Sequence, residues 1–355
     1  MIKHNLTQEV SCKIANMSLL CAIFVVMIHC ASPMKDGSLS WYLSKLIFNG
    51  VTCVAVPFFF LASGYFLGTH KIEDGEYLSE LRKRLRSLVL PLYFWNAAFW
   101  IFNIVLIVGT NFFYGEELSR NLEPIISRVF DLTGLGLKLN LGPLWYVRTL
   151  LILVIVSPLL VRLNKSRAWL IVPLLLSTVT YILFRPELNS VHDPVLRFIR
   201  YVLSPTGWLY FSIGLYLSRN KIEFHLSRWH YAVFFTIGML LLFVKTQIQQ
   251  IPGHLLALRE FSIPFRLLGV WGAVPSFQLP KVLSGISFPV YVLHLFFLRL
   301  LRLCPRFSPF HVLQNVDDWM VYVTRVVVGV LVSVGAAMVF KRLFPRISKC
   351  LLGGR

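Results

Sequence analysis

The chain has 355 residues, of which 56% are hydrophobic and only 14% are charged, and its mean hydropathy is +0.68. A soluble domain carries about 25% charged residues, so this composition excludes an ordinary soluble protein and predicts a polytopic membrane protein. The formal net charge of +19 is typical of nucleic-acid-binding proteins, but here the basic residues punctuate hydrophobic spans. We therefore expect no nucleic-acid partner, and we interpret the cations as topology signals that contact anionic membrane lipids.

Ten apolar segments approach the length of about 20 residues that a helix needs to cross the hydrocarbon core. They predict an all-α fold, a polytopic membrane helix bundle with about ten transmembrane helices, in one integral membrane domain over residues 1–355. The two weakest spans, 201–218 and 262–277, are broken by Pro, Gly or Arg. We expect both to line an internal pocket, because broken helices are tolerated only where they face protein or a water-filled cavity. The other spans lie near 18–33, 47–67, 88–109, 144–161, 168–184, 230–248, 284–302 and 320–340.

The distribution of Lys and Arg predicts the orientation of the bundle. With a cytoplasmic N-terminus, the inside segments hold 19 of the 35 basic residues, whereas the longer outside loops hold 10. By the positive-inside rule this bias predicts a multi-pass protein of the inner (plasma) membrane with both termini in the cytoplasm. The first span lacks a small-residue cleavage site, so we interpret it as a retained helix and not as a signal peptide.

A histidine, His29, closes the apolar run 19–28 of the first span, close to the predicted outer face. Residues 19–31 contain no other ionisable group except two thiols. An imidazole at this depth is neutral and able to exchange a proton, and ionisable groups in membranes are usually functional. The alternative is an interfacial histidine that is hydrogen-bonded to a neighbouring helix.

A basic cluster follows the second span, in the predicted cytoplasmic loop 68–87. Four cations in five positions are suited to binding a polyphosphate through charge-assisted hydrogen bonds. The alternative is an anchor on anionic lipid. The four residues are Arg82, Lys83, Arg84 and Arg86.

Signatures of bound cofactors and metals are missing from the sequence. It contains neither a P-loop nor a GxGxxG phosphate motif, and its six cysteines show no CxxC pair and no regular spacing. We therefore predict no bound cofactor, no disulfide framework and no metal site.

Two further polar residues fall within spans. Arg148 is predicted about one helical turn inside the outer face, and His294 near mid-membrane. Arg148 is a candidate site residue, with snorkelling to lipid headgroups as the alternative. His294 is a candidate as well, with a helix-packing hydrogen bond as the alternative.

Five segments occur in a fixed order along most of the chain. They are VVMIH at 25–29, VPFFFLASGY at 56–65, the basic run 82–86 leading to Pro91, PLWYVR at 143–148 and YVLH at 291–294. Together they resemble the acyltransferase-3 family of integral membrane acyltransferases. The resemblance implies transfer of an acyl group, usually acetyl, from acyl-CoA as co-substrate to a hydroxyl of a glycan or lipid-linked sugar.

The same resemblance implies roles for the candidate residues. In the family the histidine of the first helix is essential, so His29 is expected to act as general base on the acceptor hydroxyl. Arg148 or the indole of Trp145 is expected to donate to the oxyanion, and Trp145 and His294 to contact substrate. The basic cluster is expected to bind the phosphates of acyl-CoA. A relay of the acyl group near His294 is the alternative route.

The sequence departs from the family at one position. The family carries Arg or Lys eleven residues before the essential histidine, where this chain has Ser18. We expect Lys13 or an arginine of another helix to replace that cation. Two other function classes stay open: a transporter or flippase of a lipid-linked saccharide, favoured by intramembrane Arg and His, and a non-catalytic partner in glycan assembly, favoured by Ser18.

Overall fold

A computed structural model describes residues 7–30, 46–69, 76–114, 124–134, 136, 138–163, 166–183, 194–222, 226–247, 258–280, 283, 285–301 and 318–352. Within these ranges the regular structure is entirely helical, which confirms the predicted all-α fold. Several predicted loops, including most of 34–46 and 303–318, lie outside the described residues, as does Cys304.

The α-helices are numbered here in chain order. They are α1 Gln8–Cys30, α2 Ala55–Gly68, α3 Glu76–Tyr114, α4 Trp145–Leu163, α5 Ile171–Leu183, α6 Pro194–Phe198, α7 Pro205–Arg219, α8 Arg228–Gln247, α9 Leu258–Ala273, α10 Ser287–Leu301, α11 Asp318–Leu343 and α12 Pro345–Leu351. Short 3-10 or π turns precede α2, α4, α5 and α7. Each of the ten predicted spans overlaps one of these helices.

In the part of the chain that the structure describes, four helical segments are long and apolar enough to cross a membrane: Gln8–Cys30, Tyr77–Thr110, Gly142–Leu163 and Trp319–Leu343. Four shorter apolar helices accompany them: Thr52–Gly68, Ala168–Val179, Arg228–Val244 and Ser287–Leu301. Large apolar side chains also cover the outside of the bundle, since Ile155, Leu175 and Leu331 are each more than half exposed. Water-exposed surfaces rarely carry so many such residues, so this surface faces lipid.

The two weakest predicted spans both lie against other helices. α7 packs along α2 and buries Leu209, Tyr210 and Phe211. α9 packs along α8, and its Arg266 is completely buried. That guanidinium donates to the carbonyl of Gly50, to Cys53 Sγ at 2.9 Å and to Ser262 Oγ at 2.7 Å. A charged span is tolerated here because protein groups replace the lost hydration.

One sequence-based placement is wrong. The sequence predicts the basic cluster in a loop, but it lies within α3, which begins at Glu76. The local sequence explains the difference, because Glu, Leu, Arg and Lys all favour helix and Glu80 pairs with Arg84 at i,i+4 with an Nε–Oε1 distance of 2.9 Å. The first turns of α3 therefore present these cations from a rigid element.

α1 occupies a central position in the bundle. It contacts α2, α10 and α11 along its length, and it buries Met17, Cys21, Ala22 and Val26 completely. α10 in turn packs against α1 and α11. This arrangement brings the end of α1 beside the middle of α10, although the two helices are far apart in sequence.

Candidate functional site

The two candidate histidines lie in contact. The ring centroids of His29 and His294 are 5.2 Å apart, and the ring planes are inclined by 35°. His29 is partly buried at the end of α1, whereas His294 is completely buried in α10. The sequence indicates each residue as a candidate separately, but it does not predict that they are in contact. The structure therefore joins two of the predicted site residues into one pair.

The backbone of α10 fixes the protonation pattern of His294. Its Nδ1 lies 2.7 Å from the carbonyl oxygen of Tyr291 and 3.3 Å from that of Val290. Carbonyl oxygens only accept hydrogen bonds, so Nδ1 carries the hydrogen and Nε2 of the neutral ring carries the lone pair. Nε2 is buried and has no hydrogen-bond partner among the described residues. Such a buried acceptor requires an explanation.

Three of the five motif segments meet next to this pair. The Tyr291 hydroxyl donates to the carbonyl of Pro143, and the Tyr291 ring lies edge-on to Tyr146 with centroids 6.0 Å apart. The Tyr146 hydroxyl is 3.3 Å from Ser63 Oγ. Ser63, Tyr146 and Tyr291 belong to the segments 56–65, 143–148 and 291–294. These residues belong to the motifs that mark the family resemblance, but the sequence predicts no role for them.

Trp145 lies in an aromatic wall beside these tyrosines. Its ring centroid is 6.2 Å from that of Phe60, and Phe60 stands edge-on to Tyr146 at 4.7 Å. The indole is partly buried. Its predicted contact with substrate is not tested by these distances and stays a prediction.

Arg148 binds the protein backbone. The side chain is buried, and its guanidinium donates to the carbonyls of Gly134 at 3.2 Å, Gly136 at a shorter distance and Tyr201 at 2.9 Å. It therefore holds the segment 124–136 and the turn before α7 against α4. Burial argues against snorkelling to lipid headgroups. The predicted catalytic role of Arg148 stays a prediction.

The basic cluster divides into an exposed group and a buried arginine. Arg82, Lys83 and Arg86 are exposed, and i,i+3 and i,i+4 spacing places them on neighbouring positions of α3. Arg84 is buried and donates from Nη1 to the carbonyl of Ser63 at 3.3 Å. A series of contacts thus runs from Arg84 through Ser63 and Tyr146 to Tyr291.

The region around Ser18 is built without a cation at that position. Ser18 Oγ donates to the carbonyl of Ile14 at 2.7 Å. Lys13 Nζ lies 5.0 Å from the ring centroid of Trp271 and 5.8 Å from that of Tyr231, which are cation–π distances. In α1, Lys13 is about 24 Å along the helix axis from His29, so it is too distant to stabilise an oxyanion there.

Comparison with known proteins adds two findings. A family model described as an acyltransferase domain, type 3, matches residues 17–341. The chain is also similar to the succinoglycan biosynthesis protein ExoH of Rhizobium meliloti (strain 1021), with 26% identity over 167 residues. That match covers 43% of this chain and only 42% of the relative's length. No solved structure matches the chain.

Proposed function

Because the chain belongs to the acyltransferase-3 family of integral membrane acyltransferases, we propose that it acylates a hydroxyl of a cell-surface polysaccharide or lipid-linked sugar. The proposed donor is acyl-CoA, most simply acetyl-CoA. The observation that carries the proposal is the contact between the His29 and His294 rings where three motif segments meet. Similarity to a succinoglycan biosynthesis protein supports a polysaccharide acceptor. The family match favours an enzyme over a saccharide transporter or a non-catalytic partner.

His29 is the general base in the proposed reaction. Its neutral imidazole accepts the proton of the acceptor hydroxyl while that oxygen forms a bond to the thioester carbonyl carbon. The tetrahedral intermediate then collapses, the carbon–sulfur bond breaks, and the CoA thiolate takes the proton back from the imidazolium of His29. The products are the ester and free CoA thiol, and His29 is again neutral.

His294 holds the sugar in this scheme. A hydroxyl has a single proton, so the hydroxyl that donates to His29 cannot also donate to His294. A neighbouring hydroxyl of the same sugar ring donates instead to His294 Nε2, which has no hydrogen-bond partner among the residues that the structure describes. Vicinal hydroxyls suit two imidazoles whose rings are in contact, and the fixed tautomer of His294 removes the need to reorganise it.

The oxyanion contact is assigned first to Trp145. Its indole N–H is a pure donor in an aromatic, water-poor wall, where one hydrogen bond to developing charge has a large effect on rate. Arg148 already donates to three backbone carbonyls, so we assign it the positioning of the segment that faces the site.

The exposed cations of α3 bind the donor in this proposal. Arg82, Lys83 and Arg86 present charges that suit the phosphates of CoA. Positive-inside counting predicts that this end of α3 lies in the cytoplasm, where acyl-CoA is found. The thioester arm would pass along the contacts of Arg84, Ser63 and Tyr146 toward the histidines.

The proposal is tested with the purified chain in lipid nanodiscs, acetyl-CoA and a glycan acceptor. Mass spectrometry of the glycan should show the addition of one acetyl group, with stoichiometric release of CoA thiol. His29→Ala should lower the rate about 10²–10⁴-fold, the usual contribution of a general base. His230→Ala is the matched control, since His230 is exposed and bonded to Ser227 Oγ at 2.6 Å. Near wild-type transfer by His29→Ala would refute the assignment.

A further inference from the structure

A cavity of about 240 Å³ lies beyond His294 along α10. Its walls come from α3, α10 and the segment between α3 and α4, and the lining includes Trp100, Asn103, Arg128, Asn140, Leu298 and Arg299. Leu298 follows His294 by one helical turn. The opposite wall is linked to the site as well, because Asn140 lies three residues before Pro143, which accepts the hydrogen bond of Tyr291. The cavity and the histidine pair are therefore neighbours.

Asn140 lines this cavity and carries an unused donor. The residue is 8% exposed, and its Nδ2 is buried without a hydrogen-bond partner among the described residues. The backbone on either side is held firmly, since Asn96 donates to the carbonyl of Asp131 at 2.8 Å and accepts from the N–H of Leu141 at 3.2 Å. An amide donor kept dry and in a fixed place needs an acceptor, and a ligand supplies it.

Two arginines make the cavity electropositive. Arg128 is held by Asp131, with Nε 2.9 Å from Oδ2, and by the carbonyl of Leu139 at 2.9 Å from Nη2. Arg299 is exposed and forms no ion pair or hydrogen bond with the described residues. Asp131 neutralises Arg128 and leaves the charge of Arg299, so these three groups contribute a net charge of +1 at the cavity.

The remaining polar lining suits a sugar ring. The indole of Trp100 is fixed by a hydrogen bond from Nε1 to the carbonyl of Ile125 at 2.9 Å. Asn103 Nδ2 donates to the carbonyl of Phe99 at 2.7 Å, which orients its Oδ1 as an acceptor. A fixed aromatic ring with amide donors and acceptors matches the mixed apolar and hydroxylated surface of a sugar.

We propose that this cavity binds a carboxylate-bearing sugar residue of the acceptor, next to the residue whose hydroxyl reaches His29 and His294. The inference rests on the proposed acyltransferase function and narrows its acceptor to an acidic glycan. The carboxylate pairs with Arg299 and Arg128 and accepts from Asn140 Nδ2. The cavity then fixes the register of the glycan chain, so that one sugar unit is presented to the histidines.

Direct binding tests the inference without turnover. The probe is a glucuronic-acid-containing oligosaccharide, compared with its carboxyl-reduced neutral form, on the full chain in nanodiscs of zwitterionic lipid. The wild type should prefer the acidic probe, and Arg299→Gln and Asn140→Ala should each weaken its binding about tenfold while changing the neutral probe less than twofold. Lys138→Gln is the control, because Lys138 is an exposed cation of the same segment outside the lining.

Three results would overturn the inference. Equal affinity for the two probes would show that the cavity does not recognise a carboxylate. An equally large loss of affinity in Lys138→Gln would show that the effect of Arg299→Gln comes from the overall positive charge of the region and not from the cavity. The assay is also repeated in nanodiscs of anionic lipid. An Arg299→Gln effect that appears only there would indicate that the cavity binds a lipid headgroup and not the sugar. The experiments distinguish failure of the proposed acyltransferase function from failure of this inference. Selectivity for the acidic probe without acyl transfer would contradict the proposed function alone. Acyl transfer without that selectivity would contradict this inference alone.

Discussion

Gly64 of α2 and Gly214 of α7 lie on facing sides of the α2–α7 crossing, each directly against a backbone carbonyl of the opposite helix. A Cβ atom on Gly64 would overlap the carbonyl oxygen of Phe211, and one on Gly214 would overlap that of Leu61. The obstacle is backbone in both cases, so no side-chain rotation relieves it. Small residues allow helices in membranes to approach this closely. Because α2 also carries Ser63 into the candidate site, the crossing positions that site.

Gly64→Ala should destabilise the protein by about 1–3 kcal/mol, the usual cost of overpacking a tight contact. The measurement is the thermal unfolding midpoint of the detergent-purified chain. Gly335→Ala is the control, since nothing lies within 4 Å of a Cβ at that helical position. Alanine is the better helix former, so the control should be neutral or stabilising by roughly 0.5–1 kcal/mol. Equal midpoints for the two variants would contradict the close crossing.

His294→Ala should lower kcat/KM for the acceptor about 10- to 100-fold and act mainly through KM, because it removes a ground-state hydrogen bond to the sugar. His29→Ala should instead act mainly on kcat. Steady-state kinetics over a range of acceptor concentrations separate the two effects. An acyl relay through His294 makes a different prediction, namely an acylated protein on incubation with acyl-CoA alone. If intact-protein mass spectrometry detects this adduct, His294 relays the acyl group and the proposed sugar-binding role is wrong.

Replacing the exposed cations of α3 together, as Arg82→Gln, Lys83→Gln and Arg86→Gln, should raise KM for acyl-CoA about tenfold or more with little change in kcat. The reason is that phosphate contacts are equal in the ground and transition states. Arg346→Gln with Lys349→Gln is the matched control, since both residues are exposed cations of α12. A loss confined to kcat would indicate that the cluster shapes the site and does not bind the donor.

Arg84→Gln should behave differently from that triple variant. Arg84 is buried between Glu80 and the Ser63 carbonyl, so its loss leaves both partners without their charge-assisted contact. We expect the free energy of unfolding to fall by about 1–3 kcal/mol, which lowers the unfolding midpoint. An unchanged midpoint, with only KM for acyl-CoA raised, would place Arg84 among the donor-binding cations.

Lys13→Met should reduce kcat/KM for acyl-CoA about tenfold or more if Lys13 replaces the cation missing at Ser18. Methionine keeps the length and packing of the side chain beside Trp271 but removes the charge. The distance of about 24 Å along α1 predicts no effect on acceptor binding. Ser18→Met is the control for a change in side-chain size on the same helix. If the two variants have the same donor kinetics, Lys13 does not replace the missing cation.

The sequence alone determined the class of this protein and indicated several candidate site residues. Low charge and repeated apolar segments require an all-α membrane bundle, because the bilayer accepts only structures that satisfy their backbone internally. His29 was recognisable because an imidazole in an otherwise apolar span is costly to retain. At Arg82–Arg86 the sequence-based prediction is wrong. A high density of charge predicts a loop there, although the residues favour helix.

Only the tertiary structure decided which helices are neighbours and how each is rotated about its axis. The contact of His29 with His294 joins α1 to α10 across most of the chain, and hydropathy contains no information on that pairing. The buried Nδ2 of Asn140 and the backbone contacts of Arg148 likewise arise from packing between segments distant along the chain. Composition and periodicity are sums over neighbouring residues, whereas a site depends on the few side chains that long-range packing brings together.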